Sequence, residues 1–180
     1  MPFCFQAPKV PKKETIMKKV AIIMGSDSDL PIVEKGINVL KEYGVPFEVH
    51  VYSAHRTPLQ TAEFVKGAKD NGFGVIIAAA GMAAHLAGAV AANTVLPVIG
   101  IPVSCKNTGG IDALWSTVQM PSGIPVATVA IDGAANAALL AVEMLALSDD
   151  CLYNKLVEAR KSGEEKVLEK NKAIEEKFNK

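Results

Sequence analysis

Aromatic side chains are scarce in this chain: phenylalanine, tyrosine and tryptophan together make up 6% of its 180 residues. No basic run carries interleaved aromatics, so the stacking platform and cationic track of a single-stranded nucleic-acid binder are missing. Net charge is missing as well. Lys+Arg and Asp+Glu both number 19, which leaves no excess to draw the protein onto nucleic acid or an anionic membrane. Cysteine is reduced to Cys4, Cys105 and Cys151, odd in number and far apart. They fit neither a disulfide framework nor a zinc ligand set, and the expectation is three free thiols in a reducing cytoplasm. Met1 to Thr15 holds three prolines and several lysines but no apolar centre, so no secretory signal is expected there. Residues 1–16 read as a flexible tail, with Met17 an alternative start before a single catalytic domain over 17–180. One long apolar run exists, Val75 to Ala92, but Gly81, His85 and Gly88 interrupt it. Its first half is β-branched and its second Ala-rich, which describes a buried strand followed by a buried helix rather than a membrane span.

Chemical signatures are missing in turn. There is no Gly-x-Ser-x-Gly elbow, no GxGxxG fingerprint, no Walker A loop and no His/Asp/Glu cluster at metal-ligand spacing. Nucleophilic and metal catalysis are therefore poorly supported, and general acid–base work by a histidine remains.

What is present is a chain that is 49% hydrophobic and 21% charged, a folded globular composition. Short apolar runs alternate with helical stripes. Strands are expected at Val20–Met24, Phe47–Tyr52, Val75–Ala80, Pro97–Ile101 and Ala127–Ile131. Helices are expected at Leu30–Tyr43, Thr57–Asn71, Met82–Thr94, Ala134–Leu147 and from Asp149 to about Phe178, with a short one at Ile111–Met120. That alternation predicts an α/β class, a three-layer α/β/α sandwich around a parallel five-stranded flavodoxin-like sheet, plus a C-terminal helix. Two of the expected helices are apolar nearly all round, which points to subunits covering one another.

In open parallel sheets ligands sit outside the carboxyl ends of the strands. Three of those ends are chemically loaded: Gly25-Ser26-Asp27-Ser28-Asp29, Ser53-Ala54-His55-Arg56-Thr57-Pro58 and Gly81-Met82-Ala83-Ala84-His85. Thr57 reads as an N-cap, Pro58 as the first helical residue and Gln60 as the far side of a capping box. A helix start suits a phosphate, to which Arg56 adds a bidentate clamp, and His55 can move a proton. Ser26 and Ser28 can stabilise a turn or hold a phosphate; Asp29 can cap a helix or bind sugar hydroxyls. His85 is read as a core histidine or a ligand contact about one turn into its helix, and His50 as structural.

With Ala83-Ala84-His85-Leu86 and Val118-Gln119-Met120-Pro121 added, these motifs resemble the PurE family over roughly Lys18 to Leu147. Within that family the resemblance is to the N5-carboxyaminoimidazole ribonucleotide mutases, because the branch that uses free CO2 usually has Lys where this chain has Arg56. The resemblance implies a ribonucleotide substrate, an octamer of identical subunits, and neither a metal nor an organic cofactor. It implies that Ser26, Asp29 and Arg56 hold ribose and phosphate, with Ser53 supporting them and His55 as general acid–base. Gly81 and the turn toward His85 would line the imidazole and carboxylate end. Two positions depart from the pattern: Met82 stands for a usual glycine and Ala87 for a usual proline.

Two rivals are weighed against this. One is a CO2-dependent aminoimidazole ribonucleotide carboxylase on the same fold. The other is a flavodoxin-like binding or receiver module, suggested by Asp27 and Asp29. The third strand, however, ends in Ala80-Gly81 with no aspartate to take a phosphoryl group.

Overall fold

The structure is a computed structural model that describes residues 17–179; the expected tail, with Cys4, lies outside the described residues. Eleven elements follow one another: β1 Lys19–Met24, α1 Leu30–Tyr43, β2 Phe47–Val51, α2 Pro58–Gly67, β3 Phe73–Gly81, α3 Leu86–Ala91, β4 Val98–Val103, α4 Ile111–Val118, β5 Ala127–Thr128, α5 Ala134–Ala146 and α6 Asp150–Phe178. All strand pairings are parallel and the sheet order is β2-β1-β3-β4-β5, the flavodoxin-like order. β1 and β4 are almost wholly buried and β3 nearly so, as continuous Val/Ile/Ala runs require when helices cover both faces.

Alternate side chains of β1 serve opposite cores. Val20, Ile22 and Met24 pack with α1 and α5, while Ala21 and Ile23 pack with α2 and α3. The apolar run at Val75–Ala92 is β3, a turn and α3; no described helix is long and apolar enough to cross a membrane.

Most departures from the expected bounds are one or two residues, as where α4 ends at Val118 rather than Met120, but α2, α3 and β5 are shorter by more. α2 ends at Gly67 rather than Asn71, because Gly72 turns left-handed (φ 84°) and the Asn71 side chain donates to the Gly67 carbonyl. α3 begins at Leu86 rather than Met82. Met82 has φ 56°, and tight turns bond Ala84 N–H to the Met82 carbonyl and His85 N–H to the Ala83 carbonyl. β5 keeps only Ala127–Thr128, since the chain leaves the sheet through Asp132, also left-handed at φ 57°.

One tight joint in the core lies between α1 and α5. Ala134, Ala137, Ala138 and Ala141 of α5 are fully buried, and a Cβ added at Gly36 of α1 would lie 2.7 Å from the Ala134 carbonyl oxygen. In an exposed helix, glycine to alanine would gain roughly 1 kcal/mol of propensity. Here a backbone oxygen cannot rotate away, and overpacking of this kind costs about 1–3 kcal/mol. Gly36→Ala is expected to lower the unfolding free energy by roughly 1–2 kcal/mol in urea titrations; an unchanged or raised midpoint would show that the two helices separate freely.

Candidate active site

The loops after β1, β2, β3 and β4 all leave the sheet at its carboxyl edge and enclose a cavity of about 580 Å³. The chain turns onto opposite faces after β1 and β3, which are neighbours, so the crevice opens at the switch point. Every site residue expected from sequence lines it: Ser26, Ser28, Asp29, Ser53, His55, Arg56, Gly81 and His85.

After β1 a single 3₁₀ turn, Asp27–Asp29, precedes α1. Ser26 caps that turn, accepting the Ser28 N–H at 3.3 Å, and the Ser28 hydroxyl donates to Ser26 Oγ at 2.9 Å. Asp29 occupies the N-cap position of α1 yet makes no side-chain capping bond. Its carboxylate is buried, 8% exposed, and receives only a long 3.4 Å contact from the Ser28 hydroxyl among the described side chains. Burial pushes its carboxyl above the ordinary aspartate value, opposed by hydrogen bonding from the Ser26 backbone and the Ser28 side chain. The capping role is therefore set aside. A buried carboxylate with spare acceptor capacity on a cavity wall suits a ligand that brings hydroxyl donors.

The loop after β2 is built by Ser53. Its hydroxyl oxygen accepts the N–H groups of His55 (3.3 Å) and Arg56 (3.2 Å), while its own N–H goes to Thr57 Oγ1 at 2.8 Å. The capping box does not form, since the Thr57 hydroxyl turns back and donates to the Ser53 carbonyl at 3.2 Å. Pro58 does occupy the first turn, but none of Thr57 to Gln60 reaches the cavity. The positive charge on this side of the cavity thus comes from the Arg56 side chain rather than from the helix start. Arg56 donates through one Nη to the Gly25 carbonyl at 3.0 Å and to no described carboxylate, so most of its guanidinium donors remain for a ligand.

His55 is exposed on the cavity wall, and its Nε2 lies 3.0 Å from Nδ1 of His85, the rings edge-on at 79°. A hydrogen bond at that distance needs one nitrogen to donate and the other to accept, so the tautomers of the two rings constrain each other. His85 sits at the N-cap of α3 and is exposed, not a core histidine within a helix. His50 points away from the site, stacked on Tyr52 and packed against Phe64. Among the described residues no three His, Cys, Asp or Glu side chains converge as a metal site.

The fourth wall was not anticipated. Val103 ends β4, and with Ser104 and Cys105 after it lines the cavity opposite the loop after β2. The rule that pointed to the first three strand ends applies equally to β4, but its polar residues carry no acid–base or charge signature.

A family model described as AIR carboxylase matches residues 19–166. The N5-carboxyaminoimidazole ribonucleotide mutase of Pyrococcus horikoshii is 54% identical over 157 residues, covering 87% of this chain and 89% of that protein. The phosphoribosylaminoimidazole carboxylase of Saccharomyces cerevisiae is 49% identical over 169 residues, 94% of this chain but 30% of that protein. The crystal structure of Treponema denticola PurE shares the fold with a TM-score of 0.78 at 28% identity, covering 91% of this chain and 99% of that one. With its matched span running from β1 into α6 and the motif residues gathered at one cavity, the chain belongs to the AIR carboxylase family.

Proposed function

We propose that this protein is an N5-carboxyaminoimidazole ribonucleotide mutase, an isomerase of purine biosynthesis that yields 4-carboxy-5-aminoimidazole ribonucleotide. The reading is supported by mutases 54% identical over most of the chain and by Arg56 beside His55 in place of the lysine of the CO2-dependent branch. The observation that carries it is Asp29, a buried carboxylate left with spare acceptor capacity at the cavity wall. A ribose supplies two hydroxyl donors for that carboxylate, and a 5′-phosphate pairs with the remaining Arg56 donors.

In the proposed reaction the bond between the exocyclic nitrogen and the carboxylate breaks, and that nitrogen takes a proton from His55. The CO2 stays in the cavity, where ring carbon 4 attacks it. The proton on that carbon then returns to His55. Atoms and protons balance, and one imidazole serves both halves. His85, hydrogen-bonded to His55 at 3.0 Å, holds the ring and its tautomer through the exchange. Ala80, Gly81, Met82 and Ala83 give CO2 an apolar wall without hydrating groups. Holding the fragments together replaces a bimolecular recapture by an effectively unimolecular one.

The cavity's outer side, where His55, Arg56 and His85 are exposed, is open in the isolated chain. Closure has to come with the substrate or from a neighbouring copy. We further propose the homo-octamer implied by the family resemblance, in the reducing cytoplasm that suits the free thiols of Cys105 and Cys151. Supporting it, Leu147 is 89% exposed and Val167, Leu168, Ile174 and Phe178 of α6 are bare, apolar surface that a second copy would cover.

Supplied separately, N5-carboxyaminoimidazole ribonucleotide should be converted without added bicarbonate, and aminoimidazole ribonucleotide should need excess bicarbonate to react at all; product formed only from the latter would establish the carboxylase instead. His55→Asn should retain fold and substrate affinity and lose turnover by at least 10²–10³-fold, a result read from kcat and KM together. Sedimentation should give a species of about 152 kDa, eight times the 19.0 kDa subunit; a monomer at micromolar concentration would rule the assembly out.

A further inference from the structure

Asp132 follows β5, outside every motif of the family resemblance and outside the lining of the cavity. Its backbone is left-handed at φ 57°, a conformation uncommon outside glycine that aspartate tolerates where its side chain finds a bond. Two bonds hold it. The Asp132 N–H donates to the Pro102 carbonyl at 2.9 Å, and Asp132 Oδ1 accepts the Ser104 N–H at 2.8 Å. The carboxyl end of β4 is therefore gripped on either side of Val103. Behind it Gly110 packs so closely that an added Cβ would lie 3.0 Å from Ser104 Cα.

The segment held in this way is the fourth wall of the cavity. Loops along the rim follow the sheet order, so the wall after β4 stands three strand spacings from the loop bearing Arg56, about 14 Å. With phosphate and ribose at Arg56 and Asp29, the imidazole ring and its carboxylate extend toward β3 and β4. The Ser104 backbone N–H is committed to Asp132, so the hydroxyl is the donor that Ser104 can offer there. The Cys105 thiol lies beside it, 3.0 Å from the Thr108 hydroxyl.

We propose that Asp132 is a positioning residue for the reaction, fixing the Ser104–Cys105 wall against the ring and carboxylate of the substrate, with the Ser104 hydroxyl as the contacting group. This rests on the ribonucleotide reading above and adds to it a fourth strand end and the residue that holds it.

Three variants separate the accepted N–H from the backbone conformation. Asp132→Asn keeps an oxygen for the Ser104 N–H and tolerates positive φ; Asp132→Gly suits the φ but has no acceptor; Ser104→Ala removes the hydroxyl alone. The asparagine variant should stay within about twofold of the unsubstituted kcat/KM, while the other two should lose about tenfold with unchanged circular dichroism. Iodoacetamide labelling followed by mass spectrometry gives a second readout. The carboxylated product, 4-carboxy-5-aminoimidazole ribonucleotide, should slow labelling of Cys105 and leave exposed Cys151 on α6 unaffected; in Asp132→Gly that protection should weaken. Full kcat/KM in Asp132→Gly, or a loss in Asp132→Asn as large as in Asp132→Gly, would overturn the positioning role. An active enzyme whose Cys105 the product fails to protect would overturn this proposal alone, whereas an unsubstituted protein without turnover would remove the ribonucleotide reading and this proposal together.

Discussion

Parallel pairing of β1 with both β2 and β3 is the constraint on which the site depends. Parallel strands must each be followed by a crossover, so every carboxyl end opens on the same edge of the sheet. Residues 25, 53 and 81 then stand side by side although nearly thirty positions separate each from the next in the chain. Small residues make the arrangement tight. Gly36 lets α1 approach α5 at Ala134, and Gly100 of β4 lets Thr117 of α4 and Ala87 of α3 close onto the sheet. The cavity floor is thus set by the tightly packed apolar core, and its chemistry by the loops.

Asp29 shows how those two layers trade against each other. Removing a carboxylate from water costs several kcal/mol unless partners compensate, and the described side chains offer it one long contact. The fold tolerates this because α1 and both cores supply stability elsewhere. On the proposed ribonucleotide reading, the hydroxyl donors of a ribose would offset what remains of that cost. The same reasoning applies to Arg56, whose charge is anchored by a neutral carbonyl rather than neutralised by an acid. Groups of opposite sign, each with spare hydrogen-bonding capacity, thus line one cavity.

Much of this was legible in the sequence. The alternation of apolar runs and helical stripes carried the element types and the parallel class, because each long element buries a face whose period is visible; the strand order came from the usual topology of a five-stranded parallel sheet. The bounds of α1 were legible to the residue, Leu30 supplying the first of the stripe and Gly44 its left-handed stop. The first three strand ends were legible because their residues are of kinds that charge or titrate. What failed has a common cause. The capping box at Thr57, the start of α3 and the length of β5 all depend on backbone conformations that local composition does not dictate. Thr57 had a stronger partner four residues back, in Ser53, than at its own helix start. Ser104 and Asp132 were missed because a hydroxyl and a backbone-directed carboxylate look ordinary until the fold brings them together.

Among the described residues, Met82 and Asp132 are the two non-glycine positions with left-handed backbones, and both belong to the cavity's construction. Met82 lines the cavity on the β3 loop, and Asp132 grips the wall after β4. Such a backbone costs an L-residue roughly 1–2 kcal/mol, less for aspartate, whose side chain can bond locally. Met82 has no such relief, and glycine is the residue that its conformation favours. The turn from Met82 to His85 is therefore held against local preference by β3 on one side and the packed start of α3 on the other, with Ala84, Leu86 and Ala87 fully buried. Strain kept in place by packing is what sets His85 within 3.0 Å of His55. A relaxed right-handed residue at position 82 would redirect the turn, carry His85 away, and leave the imidazole of His55 without the partner that orients it.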